Sequence, residues 1–201
     1  MSSVAEQVAA AAAELVVDEG MEYGAAKHKA AQALGRRGGR AGDLPSDEQL
    51  EDAVREHIAI FHADTQPTEL RALRELALVW MQRLADFRPH LSGAVWRGTA
   101  TRQSSLRIDL YCDDPKSAEI TLLDKGVDFD VATLDRPGAE PLDVLTVASQ
   151  VPALGEWVTV HLLVRDLDEL RGALKPDSRG QTWRGDTTDL RRLLADGEVA
   201  P

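Results

Sequence analysis

The sequence is poor in cysteine, in aromatic residues and in long apolar runs. Its 201 residues include one cysteine, Cys112, which excludes an intramolecular disulfide framework and a cysteine-based zinc cluster. Aromatic residues make up 4% of the chain, and its four tryptophans are too dispersed to predict a stacking surface for bases. No apolar run approaches about 18 residues, so the sequence predicts no transmembrane helix.

Positive charge is also scarce, because 34 Asp and Glu residues outnumber 23 Lys and Arg residues and give a net charge of −11. This balance favours solubility and argues against broad electrostatic adhesion to DNA or to anionic membranes. The alanine-rich start, "AEQVAAAAAELVVDEG", is interrupted by glutamates and has no basic leader, which is not typical of a secretory signal. We therefore expect a cytoplasmic protein that makes no contact with a membrane.

The first part of the chain reads as helical. Alanine propensity predicts a helix over residues 4–19 that stops at Gly20, and "EYGAAKHKAAQALG" predicts a second helix. The following "RRGGRAGDLP" is rich in Gly and Arg and predicts a flexible, locally basic linker. We therefore expect residues 1–42 to form an N-terminal arm and linker that the rest of the chain does not need for folding. Residues 43–201 would then form the main domain.

Two further helices are predicted before the pattern changes. Ser46 and Gln49 predict a capping box that opens a helix to about His62. A longer amphipathic helix follows from Thr68 to about Phe87, with apolar residues every three or four positions. Its apolar face predicts a helix that packs on the core of a domain or on a partner.

After Pro89, short alternating segments replace the helical periodicity. The segments "GAVW", "SLRIDLYC", "VDFDVATL", "LDVLTVAS" and "EWVTVHLLV" predict strands. The segments "DPKSAEITLLDKG", "LDELRGAL" and "TTDLRRLLAD" predict helices. Together they predict an α+β fold, in which helices flank a mixed sheet and "GAVW", "SLRIDLYC" and "EWVTVHLLV" are neighbouring strands, with a helical N-terminal extension.

One stretch, "GAVWRGTATRQSSLRIDLYCDD", resembles the active-site region of small nucleotidyltransferases of the polymerase-beta-like superfamily. Their pattern is a strand, Gly-Ser, a short interval and then Asp-x-Asp on the next strand. Here Gly93-Ala94 stands at the Gly-Ser place, Arg97-Gly98 matches a frequent Arg-Gly, and Ser104 matches a serine before the first acid. The chain also resembles, over nearly its whole length, bacterial proteins known only as nucleotidyltransferase-like, which share "YG-A-K-KAA-LG" and "FRP-L-G-V--GTA".

The resemblance implies a nucleotidyltransferase-like fold and a site for a triphosphate. In such a site glycine lets backbone N–H groups approach the phosphates. Two acids two apart on a strand point the same way, and with a third acid they hold two Mg²⁺ ions, which activate the attacking hydroxyl and neutralise the leaving group.

The metal-binding acids of that pattern are missing from this sequence. Counting ten residues beyond Gly93-Ala94 places the acid positions on Ser105 and Arg107. A guanidinium cannot ligate Mg²⁺, because it is always protonated and carries only donors. The third acid would fall on Thr159 or His161. Asp109 points to the same face as Arg107 and is a weak catalytic candidate, since an alternative register gives it the second acid position but leaves Arg107 at the first.

We therefore predict a catalytically degenerate protein with a metal-free pocket for a nucleotide or another anion. The residues expected to line it are Gly93, Arg97, Gly98, Thr99, Ser104, Ser105 and Arg107. An alternative is that Arg107 only pairs with Asp109 or Asp130 on the surface of the sheet. No metal site is expected from the five scattered histidines, because His57 and His62 are five apart, outside the i, i+4 spacing of helical ligand pairs.

Two other functions stay open at this point. An active nucleotidyltransferase would use Asp109 and other acids, and would need Mg²⁺ as its cofactor. A nucleic-acid-associated regulator would act through the basic N-terminal helices, although the acidity of the chain argues against it. A protein partner or a second copy of the chain is a further expected ligand, and docking through the N-terminal arm is the favoured role for that segment.

Overall fold

The computed structural model of the chain describes residues 3–35, 44–136, 138–177 and 179–196. These residues fall into two compact units. We call Met1–Leu70 with Thr99–Ser104 the helical unit, and Arg71–Gly98 with Ser105–Pro201 the sheet unit. None of the described helices is both long and apolar enough to cross a membrane.

The helical unit contains α1 (Val4–Glu19), α2 (Tyr23–Ala33), α3 (Asp47–Phe61) and the first residues of α4 (Gln66–Arg83). A capping box opens α1 at Ser3, and the predicted capping box of Ser46 and Gln49 opens α3. In each box two backbone N–H groups at the helix start donate to side-chain oxygens, which explains why these boundaries are fixed locally.

Apolar side chains from α1, α2 and α3 share one core in the helical unit. Its members are Val8, Ala12, Ala13, Val16, Val17, Ala26, Ala30, Ala31, Leu50, Val54 and Ile58. The small alanines allow the helices to approach closely, while Leu50 and Val54 fill the space between them and are fully buried. The core of α3 therefore depends on α1 and α2.

The two units divide within α4, between Leu70 and Arg71, whereas the sequence predicted a domain boundary between residues 42 and 43. The predicted linker, residues 36–43, lies outside the described residues. The dispensability of residues 1–42 stays a prediction, and the core that α1 and α2 share with α3 weighs against it.

The loop of residues 99–104 belongs to the helical unit, and hydrogen bonds fasten it there. The Gln66 amide donates to the carbonyl of Ala100 at 2.9 Å, and the Thr101 hydroxyl donates to the carbonyl of Val17 at 3.1 Å. Glu69 accepts from the backbone N–H of Arg102 at 2.9 Å. These bonds satisfy buried polar groups that would otherwise destabilise the loop.

The sheet unit contains the rest of α4, α5 (Gly93–Arg97), α6 (Lys116–Asp124) and α7 (Thr187–Ala195). Its strands are β1 (His90–Ser92), β2 (Leu106–Cys112), β3 (Asp130–Leu134), β4 (Leu142–Val151), β5 (Glu156–Asp166) and β6 (Arg184–Gly185). They form one sheet in the order β3-β4-β5-β2-β1-β6. The β2–β5 pair is parallel and the other pairs are antiparallel, so the prediction of an α+β fold with a mixed sheet is confirmed.

Two local predictions were wrong. "GAVW" is not a strand, because β1 ends at Ser92 and Gly93, with φ of 73°, turns the chain into the short helix α5. "LDELRGAL" is not an α-helix, because only Leu167–Leu170 form a 3-10 turn. Both segments are short, and their apolar residues fit more than one periodicity.

Buried polar contacts fix α5 within the sheet unit. The Arg74 side chain, 4% exposed, donates to the carbonyls of Val95 at 3.1 Å and Trp96 at 3.2 Å. Burial lowers the pKa of Arg74. The indole N–H of Trp96 donates to the carbonyl of Thr182 at 2.8 Å, which ties α5 to the segment that leads into β6.

Candidate functional site

The site begins at the turn between β1 and α5. Gly93 has φ of 73°, a conformation that L side chains rarely adopt. A Cβ at this position would lie 3.2 Å from Cδ of Arg107 and 3.7 Å from its Cβ and Cγ. The glycine therefore serves two purposes, because it permits the turn and makes room for the Arg107 side chain.

Alternation along β2 gives the sheet one apolar face and one polar face. Leu106, Ile108 and Leu110 are fully buried, and Arg107 and Asp109 point to the opposite face. In the parallel pairing with β5, Arg107 stands beside His161 and Asp109 beside Leu163. We call this side of β2 and β5 the polar face.

Arg107 thus occupies the row in which the resemblance places metal-binding acids. His161, one of the two residues expected at the place of the third acid, lies next to it on β5. The Nδ1 atom of His161 is 3.2 Å from the hydroxyl of Thr146 on β4. The polar face therefore carries an arginine and an imidazole where the pattern has carboxylates.

Asp109 is the next residue of that row, and two arginines bind its carboxylate. It is 1% exposed, and its Oδ1 accepts from Nε of Arg165 at 2.6 Å. Nη1 of Arg184 lies 3.3 Å from Oδ2, which forms an ion pair but leaves Oδ2 without a hydrogen bond among the described residues. A buried carboxylate requires such partners, because desolvation of an unpaired charge costs several kcal/mol.

The ion pairs continue beyond Asp109 to Glu169 and Arg136. Nη1 of Arg165 donates to Glu169 at 3.0 Å, and Arg136 binds the same carboxylate with both Nη atoms at 3.0 Å. We call Arg136, Glu169, Arg165, Asp109 and Arg184 the ion-pair chain. Together with Arg107 it brings four guanidinium groups and only two carboxylates.

These contacts shift the pKa of several groups. Hydrogen bonds from Arg136, with those from Arg165, lower the pKa of Glu169. Burial lowers the pKa of Arg165, but attraction and hydrogen bonding to Asp109, with a hydrogen bond to Glu169, raise it overall. Burial also raises the pKa of Tyr111, whose hydroxyl accepts from Nη1 of Arg184 at 2.7 Å.

The structure brings together only part of the predicted pocket. Gly93 and Arg107 are in contact, and Ser105 directly precedes β2. Gly98 ends α5 in the left-handed conformation, with φ of 81°. The Arg97 guanidinium lies over the ring of Trp183, 5.3 Å from its centroid.

The other two predicted residues belong to the helical unit. Thr99 is buried, and the hydroxyl of Ser104 accepts from the backbone N–H of Thr101 at 3.0 Å. The same turn has a backbone bond from Ser104 N–H to the Thr101 carbonyl at 2.9 Å. Ser104 therefore closes a local turn.

The residues of the polar face do not fit Mg²⁺. Arg107 offers no lone pair, and the negative charge of Asp109 is already compensated by two guanidinium groups. Within the described ranges, the only group of three His, Cys, Asp or Glu side chains close enough to share a metal ion is Asp18, His57 and His62 of the helical unit.

Sequence reasoning missed Arg165, Arg184, Glu169 and Arg136. Arg165 is the last residue but one of the strand "EWVTVHLLVRD", and its even spacing from His161 indicates the same face. Arg184 comes from a turn-rich loop and reaches the site through the pairing of β6 with β1, for which the sequence contains no local signal.

Comparison with known proteins gives limited similarity. No protein-family model matches the chain, and no curated protein matches its sequence. The structure of Cid1 with the UTP analogue UMPNPP matches with a TM-score of 0.33 and 14% identity, over 51% of this chain and 31% of that chain. The structure of Cid1 with its short product ApU matches with a TM-score of 0.34 and 15% identity, over 53% of this chain and 32% of that chain.

A structure of a cytoplasmic RNA terminal U-transferase matches with a TM-score of 0.32 and 15% identity, over 51% of this chain and 31% of that chain. About half of this chain thus corresponds to about a third of each of these larger chains. At TM-scores and identities this low, the similarity does not establish a family or an activity for this chain.

Proposed function

We propose that the polar face of the sheet unit binds a nucleotide through its phosphates without a metal ion, and that the chain does not catalyse nucleotidyl transfer. The observation that carries the proposal is the position of Arg107. Its side chain covers Gly93, stands beside His161, and occupies the row in which a nucleotidyltransferase carries its metal-binding acids.

The charge of the face supports an anionic ligand. Arg107 and the ion-pair chain contain four guanidinium groups and two carboxylates. The exposed Asp130 of β3 adds a third carboxylate to the same face, so these residues still carry one more positive than negative charge in an acidic protein. A guanidinium binds phosphate through two parallel N–H···O bonds, which gives strength as well as orientation. This complementarity favours a phosphate-bearing ligand over a protein partner.

We also propose that the chain is a catalytically degenerate member of the nucleotidyltransferase-like group. An active enzyme that used Asp109 would have to release its carboxylate from both Arg165 and Arg184 before a cation could bind. Removing one partner from a buried pair costs about 3–5 kcal/mol, so these contacts weigh against the enzyme. The nucleic-acid alternative rested in part on residues 36–43, outside the described residues.

The experiment is a calorimetric titration of the chain with ATP in EDTA, repeated for Arg107→Ala. Loss of a charge-assisted fork removes about 1.5–3 kcal/mol, so we expect ATP affinity to fall roughly ten- to a hundredfold.

The matched control is Arg71→Ala, which removes the same charge from an exposed i, i+4 pair with Glu75 on α4. We expect the control to bind ATP as the unmodified chain does. Equal affinity of the Arg107→Ala variant and the unmodified chain would remove the proposal, and so would a complete absence of ATP binding.

A further inference from the structure

Two histidines and an aspartate meet in the helical unit, away from any residue of the polar face in sequence. Asp18 lies in the last turn of α1, His57 lies in α3, and His62 follows the last residue of α3. The ligand atoms that the three side chains offer all lie within 4.8 Å of one another. This grouping was not expected from the sequence.

His57 and His62 meet although they are five residues apart, because His57 is helical and His62 is not. His62 has φ of −128° and therefore leaves the helical path. Its ring turns back toward His57, and the two ring centroids are 5.9 Å apart. A pair five residues apart can therefore share a ligand when the second residue is the helix cap.

The Asp18 carboxylate faces both imidazoles, one with each oxygen. Nε2 of His62 is 2.9 Å from Oδ1, and Nε2 of His57 is 3.5 Å from Oδ2. Around a tetrahedral ion with bonds of about 2.0 Å, ligand atoms lie roughly 3.3 Å apart. The two histidine–carboxylate separations are thus close to those around such an ion, and the third pair of ligand atoms lies within 4.8 Å.

If the cluster is only an ion pair, one of its buried nitrogens lacks a hydrogen-bond partner. Nε2 of His57 is buried and has no hydrogen-bond partner among the described residues, and its distance to Asp18 is too long for a good hydrogen bond. Buried polar atoms without a partner are rare. A metal ion between the three side chains would satisfy this nitrogen.

The backbone around the site also favours a cation. Asp18 and His62 stand at the carboxyl ends of α1 and α3, where helix dipoles place partial negative charge. Gly20, with φ of 67°, ends α1 directly after this turn. Solvent reaches the cluster mainly at Asp18, because 42% of its side chain is exposed, against 16% for His57.

We propose that Asp18, His57 and His62 bind one divalent transition-metal ion of the zinc class. Imidazole nitrogen suits this class better than Mg²⁺ or Ca²⁺, which prefer oxygen ligands. Three protein ligands leave a fourth position for water or another small ligand, as in open zinc sites. The site joins the ends of α1 and α3, so the ion should also stabilise the helical unit.

The first test uses Co²⁺ as a probe for the zinc position. The full chain, prepared without a histidine tag, is titrated with CoCl₂ at about pH 7.5. We expect visible d–d absorption that saturates at one equivalent and disappears when ZnCl₂ is added. A featureless titration would overturn the proposal without reference to any variant.

The second test assigns the ligands. His57→Ala, His62→Ala and Asp18→Asn are expected to weaken Zn²⁺ binding, each by at least about tenfold, because the alanine variants lose a bond to the ion and asparagine replaces a charged ligand by a weaker, neutral one. Asp18→Asn keeps the side-chain volume, and circular dichroism verifies the fold of every variant.

The control is His28→Ala, which removes an exposed histidine from α2 in the same unit. It should bind Zn²⁺ as the unmodified chain does, and Zn²⁺ should raise its melting temperature in the same way. Equal Zn²⁺ affinity of the Asp18→Asn variant and this control would show that the ion binds elsewhere and would overturn the site.

Discussion

Replacement of Asp109 by asparagine is expected to destabilise the sheet unit by about 2–3 kcal/mol. Asp109 is 1% exposed and binds Arg165 at 2.6 Å and Arg184 at 3.3 Å. Removing one partner of a buried ion pair outright costs about 3–5 kcal/mol. Asparagine keeps the volume and one acceptor, and Arg165 retains Glu169, so the expected cost lies below that range.

Tryptophan fluorescence measures this change selectively. All four tryptophans, Trp80, Trp96, Trp157 and Trp183, belong to the sheet unit. Urea unfolding followed by fluorescence therefore reports on that unit, while circular dichroism reports on the helices of both. With a slope of about 2 kcal/mol per molar urea, the midpoint should fall by roughly 1–1.5 M.

The matched control is Asp113→Asn, which changes an exposed aspartate just after the same strand. It should shift stability by no more than about 0.5 kcal/mol. If Asp109→Asn behaves like this control, or stabilises the sheet unit, then Asp109 is not held by Arg165 and Arg184 in solution. Stabilisation by Asp109→Asn is what the removal of an electrostatically strained catalytic acid would produce. That result would therefore favour the interpretation of the chain as an enzyme.

Two further predictions concern packing and pH. Gly185→Ala should destabilise the sheet unit to urea by about 1–3 kcal/mol or more, because the new Cβ would lie 2.1 Å from the Trp96 ring. The control, Gly24→Ala in α2, places a Cβ with nothing within 4 Å and should be neutral or stabilising. Equal effects of the two substitutions would refute the packing of Trp96 on Gly185. Arg136 lowers the pKa of Glu169, so this ion pair stabilises the folded chain above the ordinary pKa of 4.5, and the stabilisation is lost as the pH falls through the lowered pKa. Glu169→Gln should therefore flatten the acid side of the profile of stability against pH. An unchanged profile would contradict the ion-pair chain.

Local signals in the sequence were enough for most of the helices and strands. The capping box of Ser46 and Gln49 fixed the start of α3, and the long alternating run of β5 was recognised as a strand. These features depend on neighbouring residues, so pattern reasoning finds them. "GAVW" failed because a single glycine, Gly93, reverses the local geometry between β1 and α5.

The candidate site was only partly predictable for a different reason. Period-2 spacing places Arg107 and Asp109 on one face, and the sequence pattern predicts Gly93, which lies beside Arg107, as part of the pocket. The partners of Asp109 come from β5 and β6, far along the chain, and only the parallel pairing of β2 with β5 brings Arg165 into reach. No local pattern encodes that register.

The histidine cluster illustrates a limit of idealised geometry. Spacing rules assume a continuous helix, and His62 stands where α3 ends. The partner, Asp18, comes from another helix, whose packing against α3 follows from the shared apolar core of the helical unit. Predicting the cluster would have required both the end of α3 and the packing of α1.

The most direct test of the central claim is ATP binding by the unmodified chain, measured by calorimetry in EDTA and again in excess Mg²⁺. We expect ATP to bind in EDTA, with no gain in affinity from Mg²⁺, because Arg107 supplies the positive charge that a metal ion would bring. Binding that occurs only with Mg²⁺, or transfer of a nucleotidyl group under the same conditions, would refute metal-free binding and indicate working metal ligands in this fold.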